Sequence, residues 1–119
     1  MRAGGGLPPR GRGMGVRRGE LWWAELPALA GRRPVVLLSR DEAYPIRNLV
    51  TVAPVTTRIR DIPTAVPLGP DEGLPRRCVA NLDTITTIPK NALRDRISLL
   101  SREKLEALDA AMRFALGLA

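Results

Sequence analysis

From residue 20 onward the apolar positions fall in short runs separated by proline, and seven of these runs predict strands. They are Glu20–Leu26, Pro34–Ser39, Leu49–Val55, Thr64–Leu68, Cys78–Leu82, Thr84–Ile88 and a short Arg96–Leu99. Several are rich in Val, Ile, Thr and Trp, the residue types that fit a pleated, half-buried surface. Prolines at 27, 34, 45, 54, 63, 67, 70, 75 and 89 leave no room for a long helix before residue 90. Short strands at irregular spacing predict a small, strongly bent sheet or partial barrel rather than parallel βαβ units. The period then changes. Leu105, Leu108, Met112, Ala115 and Leu116 share one face at helical spacing, with Arg102, Glu106, Asp109 and Arg113 elsewhere. Ser101 has the character of an N-cap, Leu100 and Leu105 have the spacing of a hydrophobic staple, and Gly117 stands where a glycine ends a helix. The expected fold is mainly β, with an amphipathic C-terminal helix closing the open side of the sheet.

Composition narrows this picture. A chain of 119 residues with 45% apolar content fits one domain with a modest core. Residues 1–14 are dominated by Gly, Pro and Arg and are expected to form a disordered tail, Met14 being an alternative start. Residues 15–119 are expected to make the single domain. The lone cysteine, Cys78, forbids an internal disulfide and fits a reducing cytoplasm. No apolar stretch approaches the roughly 20 residues of a membrane span, so no membrane partner is expected. The formal net charge of +7 comes from 19 basic and 12 acidic residues, and every basic residue except Lys90 and Lys104 is arginine. Arginine's planar fork matches phosphate, and a basic balance puts nucleic acid first among partners.

Candidate chemistry is limited by what is missing. The chain has no histidine, so the commonest general base and the Ser-His and Cys-His nucleophile pairs are absent. The acidic pairs Asp41-Glu42 and Asp71-Glu72 sit beside turn signals and read as solvated loop charges, so neither a metal nor another cofactor is expected. What remains lies at strand ends. Arg33 precedes Pro34, which biases it to an extended conformation. Thr56 and Thr57 close the run TVAPVTT, where Pro54 suggests a strand edge or bulge. Asp83 stands between two β-like runs, with Asn81 two residues earlier. Taken singly, these also read as a strand-end charge, an ordinary strand former and a turn residue.

Five stretches in order make a more specific pattern. RRGELWWAEL at 17–26, GRRPVVLLS at 31–39, VTVAPVTT at 50–57, VANLDTITTI at 79–88 and LSREKLEALDAAMRFALGL at 100–118 resemble successive motifs of the MazF/PemK family. These are the toxins of bacterial toxin–antitoxin pairs. The resemblance implies a small SH3-like β-barrel of the CcdB/PemK type, a homodimer, and metal-independent cleavage of single-stranded RNA at short sequences. It implies Arg33 as catalytic arginine, Thr56 as its partner at the scissile phosphate, and Asp83 as an acidic residue for catalysis or RNA contact. It also implies a cognate acidic antitoxin, with DNA engaged only indirectly through the antitoxin complex. The chain departs from the family pattern in two places. Pro27–Arg33 is shorter than the usual loop between the first strands, and Asn81 stands where some relatives place an arginine.

RNA carries its own nucleophile, the 2′-hydroxyl, so a protein need only orient it, move its proton and stabilise charge on phosphorus. Arg33 is assigned to the non-bridging oxygens and Thr56 to a hydroxyl contact. Asp83 is assigned to accepting a proton or orienting Arg33. Arg32, Thr57, Arg58, Arg60, Arg76, Arg77 and Asn81 are expected to contact the RNA. Trp22 and Trp23 alternate faces, one for the core and the other for an interface or a stacked base. Two other readings remain open on the sequence: a non-catalytic, CcdB-like gyrase inhibitor and a basic SH3-like nucleic-acid-binding module.

Overall fold

A computed structural model of the chain describes residues 16–26 and 31–118. The expected tail at 1–14 and the residues at 27–30 lie outside the described residues. Seven strands form: β1 (Glu20–Leu26), β2 (Gly31–Leu37), β3 (Leu49–Thr56), β4 (Ala65–Leu68), β5 (Cys78–Asn81), β6 (Thr86–Pro89) and β7 (Leu93–Leu99). One α-helix, α1 (Arg102–Leu116), follows. Every pairing is antiparallel, in the order β4-β5-β3-β2-β1-β7, with β6 added on β3. The end strands β4 and β7 are not paired with each other, so the sheet is open, an arrangement compatible with a small SH3-like barrel.

Alternation along the central strands feeds two cores, one on each face. Leu21, Val36, Ala53 and Val55 join the first, and Trp22, Val35, Val50 and Val52 join the second. A strand buried on both faces reads as an unbroken apolar run, which accounts for PVVL at the end of β2. The helix covers the first core with Leu108 and Ala111, backed by Leu105, Met112 and Ala115. Leu116, expected on the same face, is instead 57% exposed beside the helix end. The caps are those the sequence predicts: the Lys104 N–H donates to Ser101 Oγ at 3.2 Å, and Gly117 adopts φ 71°. Opposite the helix, Gly19 has φ 88°, and a Cβ there would collide with Leu105 Cδ2. Glycine therefore meets two demands at that point, a left-handed backbone and close approach of the helix.

Several boundaries differ from expectation, each for a local reason. β2 begins at Gly31 rather than Pro34, because Leu26, Glu25 and Ala24 pair with Gly31, Arg32 and Arg33. β7 begins at Leu93, with the polar stretch Arg94–Arg96 paired against β1. Residues Leu82–Thr84 make a 3-10 turn, so the strand expected from Thr84 starts at Thr86. The two acidic pairs are only partly solvated. Asp41 Oδ1 accepts the Arg18 N–H at 2.6 Å, and Glu72 Oε1 accepts the Gly69 N–H at 2.7 Å. Among the described residues no helix is long and apolar enough to cross a membrane.

Candidate active site

The site is organised around the end of β3. This strand is bonded along both edges, to β2 on one side and to β6 and then β5 on the other. The change of partner falls at Ala53 and Pro54, between Val52↔Thr86 and Val55↔Ala80. Proline lacks an N–H, and here neither β5 nor β6 is positioned to need one. Pro54 thus marks a partner switch inside the sheet, where the sequence suggests a strand edge or bulge. β2 and β3 pair as Val35↔Pro54. Continued by two residues, that register sets Arg33 opposite Thr56, and alternation puts both on the same face.

Thr56 stands on the ridge between two hollows and lines both. Its Oγ1 accepts the Arg58 backbone N–H at 3.1 Å. This fixes the hydroxyl and leaves its own hydrogen available for donation. The smaller hollow, about 190 Å³, brings together Arg32, Arg33, Thr56, Thr57 and Arg76. Trp23, Pro34 and Cys78 contribute to its walls. The Arg33 side chain is exposed and has no hydrogen bond or ion pair among the described residues. Its neighbour differs: the Arg32 guanidinium pairs with Asp95 and lies 5.8 Å from the centroid of the Trp23 ring. Arg32 therefore forms a wall of this hollow, held by an exposed ion pair and by the Trp23 ring. Cys78 is buried, donates weakly to the Leu68 carbonyl at 3.7 Å, and has its thiol pKa pushed up by burial and then by Glu72. That environment disfavours a thiolate nucleophile.

The larger hollow, about 400 Å³, holds Arg58, Arg60, Asn81 and Asp83 on the other side of Thr56. Asp83 Oδ2 accepts from the buried Thr64 hydroxyl at 2.6 Å, and its N–H donates to Asn81 Oδ1 at 2.9 Å. Asp83 and Arg33 thus line different hollows and share no hydrogen bond or ion pair, so the expected orientation of Arg33 by Asp83 is not seen. Arg77 is exposed and lines neither hollow. Trp22 is fully buried, and Trp23 is the tryptophan that reaches the site.

Two elements of the framework escape the sequence reading. Glu20 is fully buried, and its carboxylate accepts from Trp22 Nε1 at 3.0 Å and from Arg96 Nε at 2.9 Å. Asp95 anchors Arg32 across the intervening strand β1. The G-E-L-W spacing places Glu20 and Trp22 on one face and so carries a trace of the first contact. The partners on β7 depend on bulges at Leu21/Trp22 and Trp23/Ala24, for which the sequence offers no signal.

Comparison with known proteins gives this geometry its context. Residues 17–116 match the model of the PemK-like, MazF-like toxins of type II toxin–antitoxin systems. The chain belongs to this family. Among MazF relatives, the probable endoribonuclease MazF5 of Mycobacterium tuberculosis is 40% identical over 99 residues, covering 82% of this chain and 90% of that protein. The probable endoribonuclease MazF2 of the same species is 37% identical, covering 86% and 99%. The solved M. tuberculosis toxin MazF-mt6 superposes with a TM-score of 0.78 at 34% identity, covering 84% of this chain and 98% of that one. A mycobacterial endoribonuclease in complex with its cognate antitoxin also gives 0.78, at 29% identity, covering 87% and 97%. Membership of the MazF family selects the toxin–nuclease reading over the gyrase inhibitor and the simple binding module.

Proposed function

We propose that this chain, a MazF-like endoribonuclease toxin, cleaves single-stranded RNA at a phosphate held between Arg33 and Thr56. One observation carries the assignment of residues: an unpaired guanidinium and a hydroxyl with a free hydrogen line one small hollow from adjoining strands. The 2′-oxygen attacks phosphorus and the bond to the 5′-oxygen breaks. The 2′-hydroxyl proton is lost and one proton is gained by the leaving oxygen, giving 2′,3′-cyclic phosphate and 5′-hydroxyl ends. Arg33 donates to the non-bridging oxygens, where charge grows, and the Thr56 hydroxyl adds a second donor. Both are mounted on a paired sheet, so they need little reorganisation as the charge develops.

The same reading places the protein in the cytoplasm, as a homodimer neutralised by a cognate acidic antitoxin. Charge supports the antitoxin, because the arginines that line the hollows form a basic surface that an acidic segment would cover. Exposed Phe114, Leu116 and Leu118 at the end of α1 give self-association apolar surface to bury. The test is incubation of the purified chain with a long single-stranded RNA in excess EDTA. Fragments with cyclic phosphate and 5′-hydroxyl ends are expected, and Arg33→Ala should lower the rate about 100- to 1000-fold. Intact RNA after incubation with folded, antitoxin-free wild type would overturn the proposal.

A further inference from the structure

Arg32 and Arg33 line one hollow, yet of the two side chains only Arg32 is held. Its guanidinium does not stop at Glu25, the residue directly opposite it on β1, which lies against Arg94 instead. It crosses β1 and reaches Asp95 on β7, passing over the Trp23 ring. In the order β3-β2-β1-β7 this direction leads away from β3. The charged end of Arg32 thus lies on the side of β2 opposite to the Thr56 hydroxyl.

The place of Asp95 depends on the bulges between β1 and β7. Leu21 pairs with Ser98, and an unbroken ladder would then set Trp22 opposite Ile97 and Trp23 opposite Arg96. The register shift after Leu21 sets Arg96 opposite Trp22 instead, where its Nε donates to the buried Glu20 at 2.9 Å, and sets Asp95 opposite Trp23. One extra residue in β7 therefore puts a carboxylate, rather than another guanidinium, within reach of Arg32. The resulting pair is open to water, with side chains 47% and 68% exposed. Such a pair is weak, and a carboxylate and an RNA phosphate are alternative partners for the same planar fork.

We propose that Asp95 is a positioning residue that competes with RNA phosphate for Arg32 and keeps this arginine in reserve. This inference rests on the RNA-cleaving reading above and deepens it. With Asp95 in place, Arg32 stays out of the set of cations that neutralise phosphate. With the Asp95 charge removed, the guanidinium swings back over β2 and takes a phosphate next to the one at Arg33. Glu25 does not replace Asp95, because Arg94 is its partner. A contact to a neighbouring phosphate is the same before and during bond breaking, so it changes binding and not the chemical step.

The experiment compares the full chain with Asp95→Asn, Asp95→Glu, Arg32→Gln and the double variant Asp95→Asn/Arg32→Gln. Affinity for an uncleavable single-stranded oligonucleotide is measured across a salt series, and kcat and KM are measured on the matching RNA. Asp95→Asn is expected to bind about three- to fivefold more tightly and to steepen the salt slope by about 0.7, one further phosphate. KM should fall with kcat unchanged. Asp95→Glu keeps the charge and should behave as wild type. In the Arg32→Gln background, Asp95→Asn should have no effect. Arg32→Gln alone should keep the wild-type salt slope, which carries the test should the Asp95 variants fail to fold. A merely structural Asp95 would weaken binding or lower kcat when replaced, and a long-range charge effect would persist without Arg32. Either result overturns the inference, as does an unchanged affinity in Asp95→Asn or a shallower slope in Arg32→Gln. Wild type that cuts no RNA at all would instead overturn the proposed function.

Discussion

Arg32 and Arg33 are adjacent, identical in chemistry and opposite in fate. Alternation sends Arg32 to the face of Trp23, where Asp95 holds it, and sends Arg33 to the face of Thr56, where it stays unpaired. The sequence marks both as charges before a Pro-Val strand, and the family resemblance separates them. The physical reason for the separation lies in the register with β1 and β3, which local pattern does not encode. Tyr44 shows a similar limit. It lies outside every run that predicts a strand, yet it is buried in the second core with a hydroxyl that has no hydrogen-bond partner there. Burial, and then the neighbouring Asp41 charge, push its pKa above the ordinary tyrosine value. The folded state therefore keeps this proton at a pH where the unfolded chain has lost it. That contribution to stability is full below about pH 10 and falls as pH rises further. Urea unfolding between pH 8 and pH 11 should show wild type losing ground to Tyr44→Phe by about 1.4 kcal/mol per pH unit above pH 10.

At the scale of elements, the helix was the most legible part, because its signals are local: a serine cap, a 3.6-residue apolar period and a terminal glycine. The existence and approximate placement of all seven strands were also readable from short apolar runs bounded by proline and turn residues. The runs do not carry which strand bonds to which, and so the polar ends of β2 and β7 lie outside them. Those ends are strand only because β1 pairs with them on both sides. Contact between the helix and the sheet gives the element-scale prediction. Gly19→Ala must adopt a left-handed backbone and push Leu105 out of the first core. It should lower stability by about 1–3 kcal/mol, measured by denaturant unfolding, and raise the exchange rate of the α1 amides.

Across the whole molecule, positive charge is distributed unevenly in its availability. Arg18, Arg32, Arg94 and Arg96 are tied to carboxylates at Asp109, Asp95, Glu25 and Glu20. Arg33, Arg58, Arg60 and Arg76 line the two hollows without an ion pair among the described residues. Net charge alone therefore overstates the number of arginines ready for phosphate, and composition located the basic character without locating the groove. Binding of an uncleavable single-stranded oligonucleotide, with deoxyribose at the cut, should weaken with salt. The expected slope of log affinity against log salt is about −3, from roughly four neutralised phosphates at about −0.7 each. A slope near zero in a filter-binding titration would contradict that count.

The double bonding of β3 has a consequence for how the molecule comes apart. The open sheet presents β4 and β7 as its loose margins, while the strand that ends in Thr56 is laced to neighbours along both edges. Warming should therefore fray the protein from its borders inward, and the middle of β3, bonded to β2 and β6, should be among the last regions to lose its shape.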